Sequence, residues 1–151
     1  MATTVGTSGD LPTLIENFIY LERDAIAAYD ETISRLESPT HKARIAEFRE
    51  DHVRHLDDLR ALAAKHGANV PAEGDMKQLL TTGKIKLADL MGGDGALLKA
   101  MSSNETDTIT AYGNGASNET IPPEDRPIFQ RAQADEERHK AYMDQASQAA
   151  A

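Results

Sequence analysis

Cysteine is absent from the 151 residues of this chain. Its absence excludes a disulfide framework, a thiolate zinc site, an iron–sulfur cluster and a cysteine nucleophile. Long apolar runs are also missing. No stretch of about eighteen apolar residues exists, so no membrane span is expected. Residues 1–10 lack the apolar segment of a signal peptide. Basic residues are outnumbered, with 16 lysines and arginines against 25 aspartates and glutamates, a net charge of −9. That balance argues against a broad electrostatic surface for nucleic acid. The expectation is a soluble cytoplasmic protein that meets neither nucleic acid nor membrane.

What the chain does have is helical periodicity, over a length sufficient for one domain with a proper core. Residues 1–10, small and polar, read as a disordered tail, and residues 11–151 as the domain. A first helix is predicted over Leu11–Glu37, with Pro12 in its first turn. Its apolar stripe runs Leu11, Ile15, Phe18, Ile26, Tyr29, Ile33, Leu36 and is interrupted at one position, Glu22. A glutamate four residues from an apolar neighbour on either side points into a core. After Ser38-Pro39-Thr40, with Thr40 as N-cap, a second helix is predicted over His41–His66, closed by Gly67. Its stripe is Ile45, Phe48, His52, His55, Leu59, Leu62, and both histidines stand where core residues belong.

Residues 68–94 contain Pro71 and four glycines, with short apolar pieces at Met76–Leu80 and Ile85–Met91. They read as short helices or turns within a long crossover, not a tight hairpin. A third helix over Gly95–Ala116 carries the stripe Leu98, Met101, Glu105, Ile109, Tyr112. A fourth, from about Glu124 to Gln148, carries Phe129, Ala132, Glu136, His139, Met143, Ala146. The fold class expected is therefore all-α, an antiparallel four-helix bundle with a crossover between the second and third helices.

The pattern repeats. Glu-Arg-Asp-Ala-Ile-Ala-Ala-Tyr from Glu22 to Tyr29 answers Glu-Thr-Asp-Thr-Ile-Thr-Ala-Tyr from Glu105 to Tyr112. Glu22 precedes His55 by 33 residues, and Glu105 precedes His139 by 34. Two helix pairs related by an approximate two-fold axis would produce this. Six inward candidates result: Glu22, His52, His55, Glu105, Glu136 and His139. Burying ionised carboxylates is costly unless a cation or hydrogen bonds compensate. Two divalent metal ions would offset the charge and use the imidazole nitrogens. The alternative for Glu22 and Glu105 is a buried carboxylate held by tyrosine or histidine alone, and for His52 a core histidine bonding across the bundle. Tyr29 and Tyr112 are expected as hydrogen-bond partners of the site. His41 and His66 are expected near helix ends, and Met91, Met101 and Met143 as core fillers.

With Glu136-x-x-His139 on one helix, His55 on another, and Glu22 and Glu105 alone on the remaining two, the chain resembles the ferritin-like superfamily. Within it the resemblance is to rubrerythrin-type domains and small bacterial ferritin-like proteins of unassigned function. That site takes a glutamate from each of two helices and a Glu-x-x-His from each of the other two. The resemblance covers about residues 11–148. It implies a di-metal centre, iron first, with manganese and zinc accepted by the same donors. The partners it implies are the metal ions with oxygen or peroxide, and the reaction class is ferrous-iron oxidation or reduction of oxygen species. His52 departs from the pattern, standing where the family has its second paired glutamate, with Asp51 as a fallback carboxylate. The missing Cys-x-x-Cys pair means no rubredoxin module is expected, and with little room for a fifth helix after the fourth a storage shell is not expected. A non-enzymatic metal binder with a degenerate site is the alternative, and a scaffold with a decayed site is another. The expected assembly is a homodimer, with the 68–94 connection contributing to its interface.

Overall fold

The computed structural model describes residues 3–71 and 91–149 of the chain. The two apolar pieces expected between Met76 and Met91 lie outside the described residues, apart from Met91 itself. Met91 is 90% exposed, so it is not the core filler expected. Four helices form: α1 (Leu11–Arg35), α2 (Pro39–His66), α3 (Asp94–Ser117) and α4 (Arg126–Ala149). Among the described residues there is no strand, and no helix is long and apolar enough to cross a membrane.

Local chemistry sets the helix ends. The Asp10 carboxylate accepts from the Thr13 N–H at 3.1 Å, and Pro12 occupies the first turn of α1, where its missing N–H costs nothing. Ser38, not Thr40, caps α2, accepting from the His41 N–H at 3.3 Å, because Pro39 is tolerated as the first helical residue. Gly67 ends α2 in the left-handed conformation at φ 69°. The Asp94 carboxylate, in the first turn of α3, accepts from the backbone N–H groups of Glu37 and Ser38, both at 2.9 Å. It thereby ties the α1–α2 turn to the beginning of α3.

These contacts fix the topology. α1 packs on α2, α3 on α4, α1 on α3 and α2 on α4. The consecutive helices α2 and α3 are therefore diagonal. His66, at the end of α2, meets Asp125 beside the start of α4, whereas Asp94 lies at the opposite end beside Ser38. Neighbouring helices are antiparallel, and the end of α2 and the start of α3 lie at opposite ends of the bundle, a helix length of about 40 Å apart. This is the four-helix bundle with a crossover that the stripes and the long connection indicated.

Two apolar clusters fill the ends of the interior. One includes Ile15, Phe18, Leu59, Tyr112 and Phe129; the other includes Tyr29, Ile45, Phe48, Leu98 and Met143. The expectation of a disordered tail does not hold for residues 3–10. Val5 is buried in the first cluster, and its carbonyl accepts from the Asn114 side chain at 3.0 Å. Asn118 donates to the carbonyls of Gly6 and Ser8 at 2.9 and 2.8 Å. Gly6 has φ +91° and runs so close to α3 that a Cβ would stand 2.6 Å from the Ala111 carbonyl oxygen.

Candidate metal centre

Between the two apolar clusters the stripes of all four helices turn polar. Glu22 comes from α1, His52 and His55 from α2, Glu105 from α3, and Glu136 and His139 from α4, each 4% exposed or less. The structure gathers all six into two overlapping groups. Glu22, His52, His55 and Glu136 form one; His52, Glu105, Glu136 and His139 form the other. Within each group, ligand atoms lie within 4.8 Å of one another.

In the first group, His52 Nδ1 donates to Glu22 Oε2 at 2.7 Å. His55 Nδ1 stands 3.3 Å from both Glu22 Oε1 and Glu136 Oε1. The second group is more open. His52 Nε2 is 3.6 Å from Glu105 Oε1 and 3.4 Å from Glu136 Oε2, and His139 Nδ1 is 3.8 and 3.6 Å from Glu105 Oε2 and Glu136 Oε2. Donors bound at about 2.0–2.2 Å to a tetrahedral ion lie about 3.3–3.6 Å apart. The spacing of the second group therefore suits a central cation better than direct hydrogen bonding.

The tyrosines of the repeat cross over. Tyr112 donates to Glu22 Oε1 and Tyr29 to Glu105 Oε1, so each pins the glutamate of the other helix. Thr108 adds a hydroxyl 3.1 Å from both Glu105 Oε2 and Glu136 Oε2. The α3 stripe had suggested Ile109 as the inward residue; Ile109 is only partly buried and Thr108 is the one enclosed.

The histidines are oriented from outside. His55 Nε2 donates to Asp135 Oδ2 at 2.8 Å, and His139 Nε2 donates to Asp51 Oδ2 at 2.7 Å. An ionised aspartate can only accept, so Nε2 carries a proton and Nδ1 is turned inward. Arg54 reaches Asp51 (2.9 Å) and Asp135 (2.6 Å), and Arg138 reaches the same two (2.8 and 3.2 Å), closing a ring of four charges across α2 and α4. Asp51 is thus committed to His139 and the arginines, not to the cluster of donors. Asp135, Arg54, Arg138 and Thr108 are the site residues that stripe reading missed. A signal for three of them was present: Asp51-His52-Val53-Arg54-His55 repeats as Asp135-Glu136-Glu137-Arg138-His139.

Without metal the cluster must balance its own charge. Burial opposes ionisation of Glu22, but His52 and His55 outweigh it and hold its pKa down to about 2. Burial likewise opposes the charge on the histidines, yet the carboxylates raise His55 to about 12, His139 to about 9, and His52 well above its ordinary value. Glu136 moves the other way, pushed up by burial and by Glu105 beside it. Burial and the neighbouring glutamates keep Tyr29 and Tyr112 firmly protonated. Protons therefore occupy the place a cation would take, but incompletely: His52 Nε2 and Glu136 Oε1 are fully buried and have no hydrogen-bond partner among the described residues. Orphaned donor atoms in a carboxylate–imidazole set fit a divalent ion. The buried cluster can hold metal.

Beyond the cluster, His66 bonds to Asp125 and His41 to Tyr142, in keeping with positions near helix ends. No curated protein and no solved structure matches the chain. A family model described as a domain of unknown function (DUF2383) matches residues 10–117, more than half of the chain, reaching from the cap of α1 to the end of α3. The chain belongs to the DUF2383 family.

Proposed function

We propose that this is a ferritin-like metal-binding protein whose buried centre takes two divalent ions, iron first, with manganese and zinc accepted by the same donors. The observation that carries this reading is the orientation of His55 and His139. Each commits its Nε2–H to an aspartate of the opposite helix and turns Nδ1 toward the glutamates. A histidine whose outer nitrogen is held by a carboxylate is the usual arrangement of a metal ligand.

In this reading Glu22 and His55 serve one ion, Glu105 and His139 the other, and His52 and Glu136 lie between. Tyr112 and Tyr29 keep the two outer glutamates in place, and the apolar clusters at either end exclude water. A cleft of about 310 Å³ lined by Arg54, His55, Asp58, Arg131, Ala132 and Asp135 brings solvent to the edge of His55, offering an entry path. Iron bound here supplies one-electron chemistry, of the class of ferrous-iron oxidation or reduction of oxygen or peroxide. A second reading, metal binding without turnover, is favoured by His52, an imidazole where the resemblance calls for a carboxylate. The proposed assembly is a homodimer.

Anaerobic loading with iron(II), desalting and metal analysis test the reading. About two ions per chain are expected, and a ratio well below one refutes it. Stopped-flow mixing of the loaded protein with oxygen separates turnover from binding: oxidation no faster than that of free iron leaves the second reading.

A further inference from the structure

His52 occupies an unusual position in the cluster. Its ring is fully enclosed and belongs to both donor groups. The two nitrogens face different neighbours. Nδ1 meets Glu22 Oε2 at 2.7 Å, on the side of His55; Nε2 faces Glu136 Oε2 and Glu105 Oε1 at 3.4 and 3.6 Å, on the side of His139, and has no hydrogen bond among the described residues. The Tyr29 ring lies 4.7 Å from the His52 ring, centroid to centroid, and the rings of His55 and His139 at 5.5 and 5.3 Å, so His52 is packed on several sides.

The internal repeat sharpens the point. His52 corresponds to Glu136, and Ala25 to Thr108. On one side of the approximate two-fold axis, a carboxylate is steadied by a hydroxyl at 3.1 Å. On the other side both features are replaced together, by an imidazole and a methyl group. The exchange thus reads as a paired change in the kind of ligand, and a buried nitrogen 3.4 and 3.6 Å from two carboxylates, without hydrogen-bond geometry to either, leaves room for an ion between them.

We infer that His52 is a two-sided ligand, giving Nδ1 to the ion held with Glu22 and His55 and Nε2 to the ion held with Glu105 and His139. This rests on the metal-binding reading above. When both positions fill, the ring gives up both N–H protons to solvent, and its two lone pairs replace them. Ions on opposite edges of one ring lie farther apart than the about 3.5–4 Å of metal pairs in close two-metal sites. The centre is then two separate positions joined through a conjugated ring, and a single oxygen atom does not span them.

Copper(II) is a suitable probe because it favours imidazole and carries an unpaired electron. The full-length chain is loaded with copper(II), its metal content measured, and its paramagnetic resonance and X-ray absorption spectra recorded. The expected result is two coppers per chain, a half-field resonance from coupled spins, and no metal scatterer within about 4 Å. His52→Ala is expected to lose the half-field line. A metal scatterer at about 3.5–4 Å would show ions sharing a smaller bridge and overturn the inference. Two uncoupled coppers, or one copper per chain, overturn it as well while leaving metal binding intact. No bound copper and no bound iron would defeat the metal-binding reading itself. The wild-type spectra decide the matter even if the alanine variant fails to fold.

Discussion

His52→Glu would place a fourth carboxylate at the centre of the bundle, and its effect on the metal-free protein follows from charge and burial. The wild-type cluster sets Glu22, Glu105 and Glu136 against His52, His55 and His139, all 4% exposed or less. The variant sets four carboxylates against two imidazoles. It removes the donor 2.7 Å from Glu22 Oε2 and brings a like charge within reach of Glu105 and Glu136. Breaking a buried pair in this way costs about 3–5 kcal/mol. At about 2–4 °C per kcal/mol for a domain of this size, the midpoint of thermal unfolding should fall by about 6–20 °C. The measurement is circular dichroism at 222 nm on chelator-treated protein at pH 7. Two controls belong with it. Lowering the pH to 5 should narrow the gap, because the added carboxylate takes up a proton. Adding zinc should raise the midpoint more in the variant than in the wild type, since divalent charge now meets a matching carboxylate. A metal-free variant within about 2 °C of wild type, or a gap that zinc and acid leave unchanged, would refute the charge-balance reasoning.

Metal-free protein should have a stability plateau at mildly acidic pH. His139, raised to about 9, contributes stability that is complete below its ordinary value near 6.5 and lost as pH rises through 9. Glu22, lowered to about 2, contributes stability present above about 4.5 and lost as pH falls through 2. Calorimetry across this range should show the plateau, and metal should shift the optimum toward alkaline pH because it competes with protons for the same atoms. Asp135→Asn and Asp51→Asn should each weaken metal binding about 10–100-fold in a chelator competition titration, by loosening His55 and His139 respectively. Unchanged affinity in both would show that the aspartates serve only the arginine ring. Gly115→Ala should destabilise by about 1–3 kcal/mol in urea unfolding, by overpacking. The added Cβ would stand 2.8 Å from Phe129 and 3.1 Å from Phe18, two large rings enclosed by the core.

Much of this centre was legible in the sequence because helical spacing is a physical constraint. Glu22, His52, His55, Glu105, Glu136 and His139 sit at core positions of four stripes, and the structure encloses all of them. Thr108 was less legible because an apolar stripe favours Ile109 one residue on, whereas a hydroxyl that serves two glutamates has its own reason to be buried. The crossed pairs Asp51–His139 and Asp135–His55 depend on which helices face each other, and one charged helix face looks much like another in sequence. The repeated Asp-x-x-Arg-His string was the clue available. Residues 3–10 misled by composition. One valine, Asn114 of α3 and Asn118 at its cap hold a segment that is otherwise small and polar.

The diagonal placement of α2 and α3 also divides the donors between two local units. Glu22, His52 and His55 lie on the α1–α2 hairpin, and Glu105, Glu136 and His139 on the α3–α4 hairpin, each closed by a short turn. Local contacts form before distant ones, since closing a longer loop costs more entropy. Each hairpin carries three donors of its own, and only the packing of the two hairpins brings His52 and Glu136 into the opposite group. A pulse of metal delivered during refolding would then report the moment the halves meet, making the centre a clock for the last step of folding.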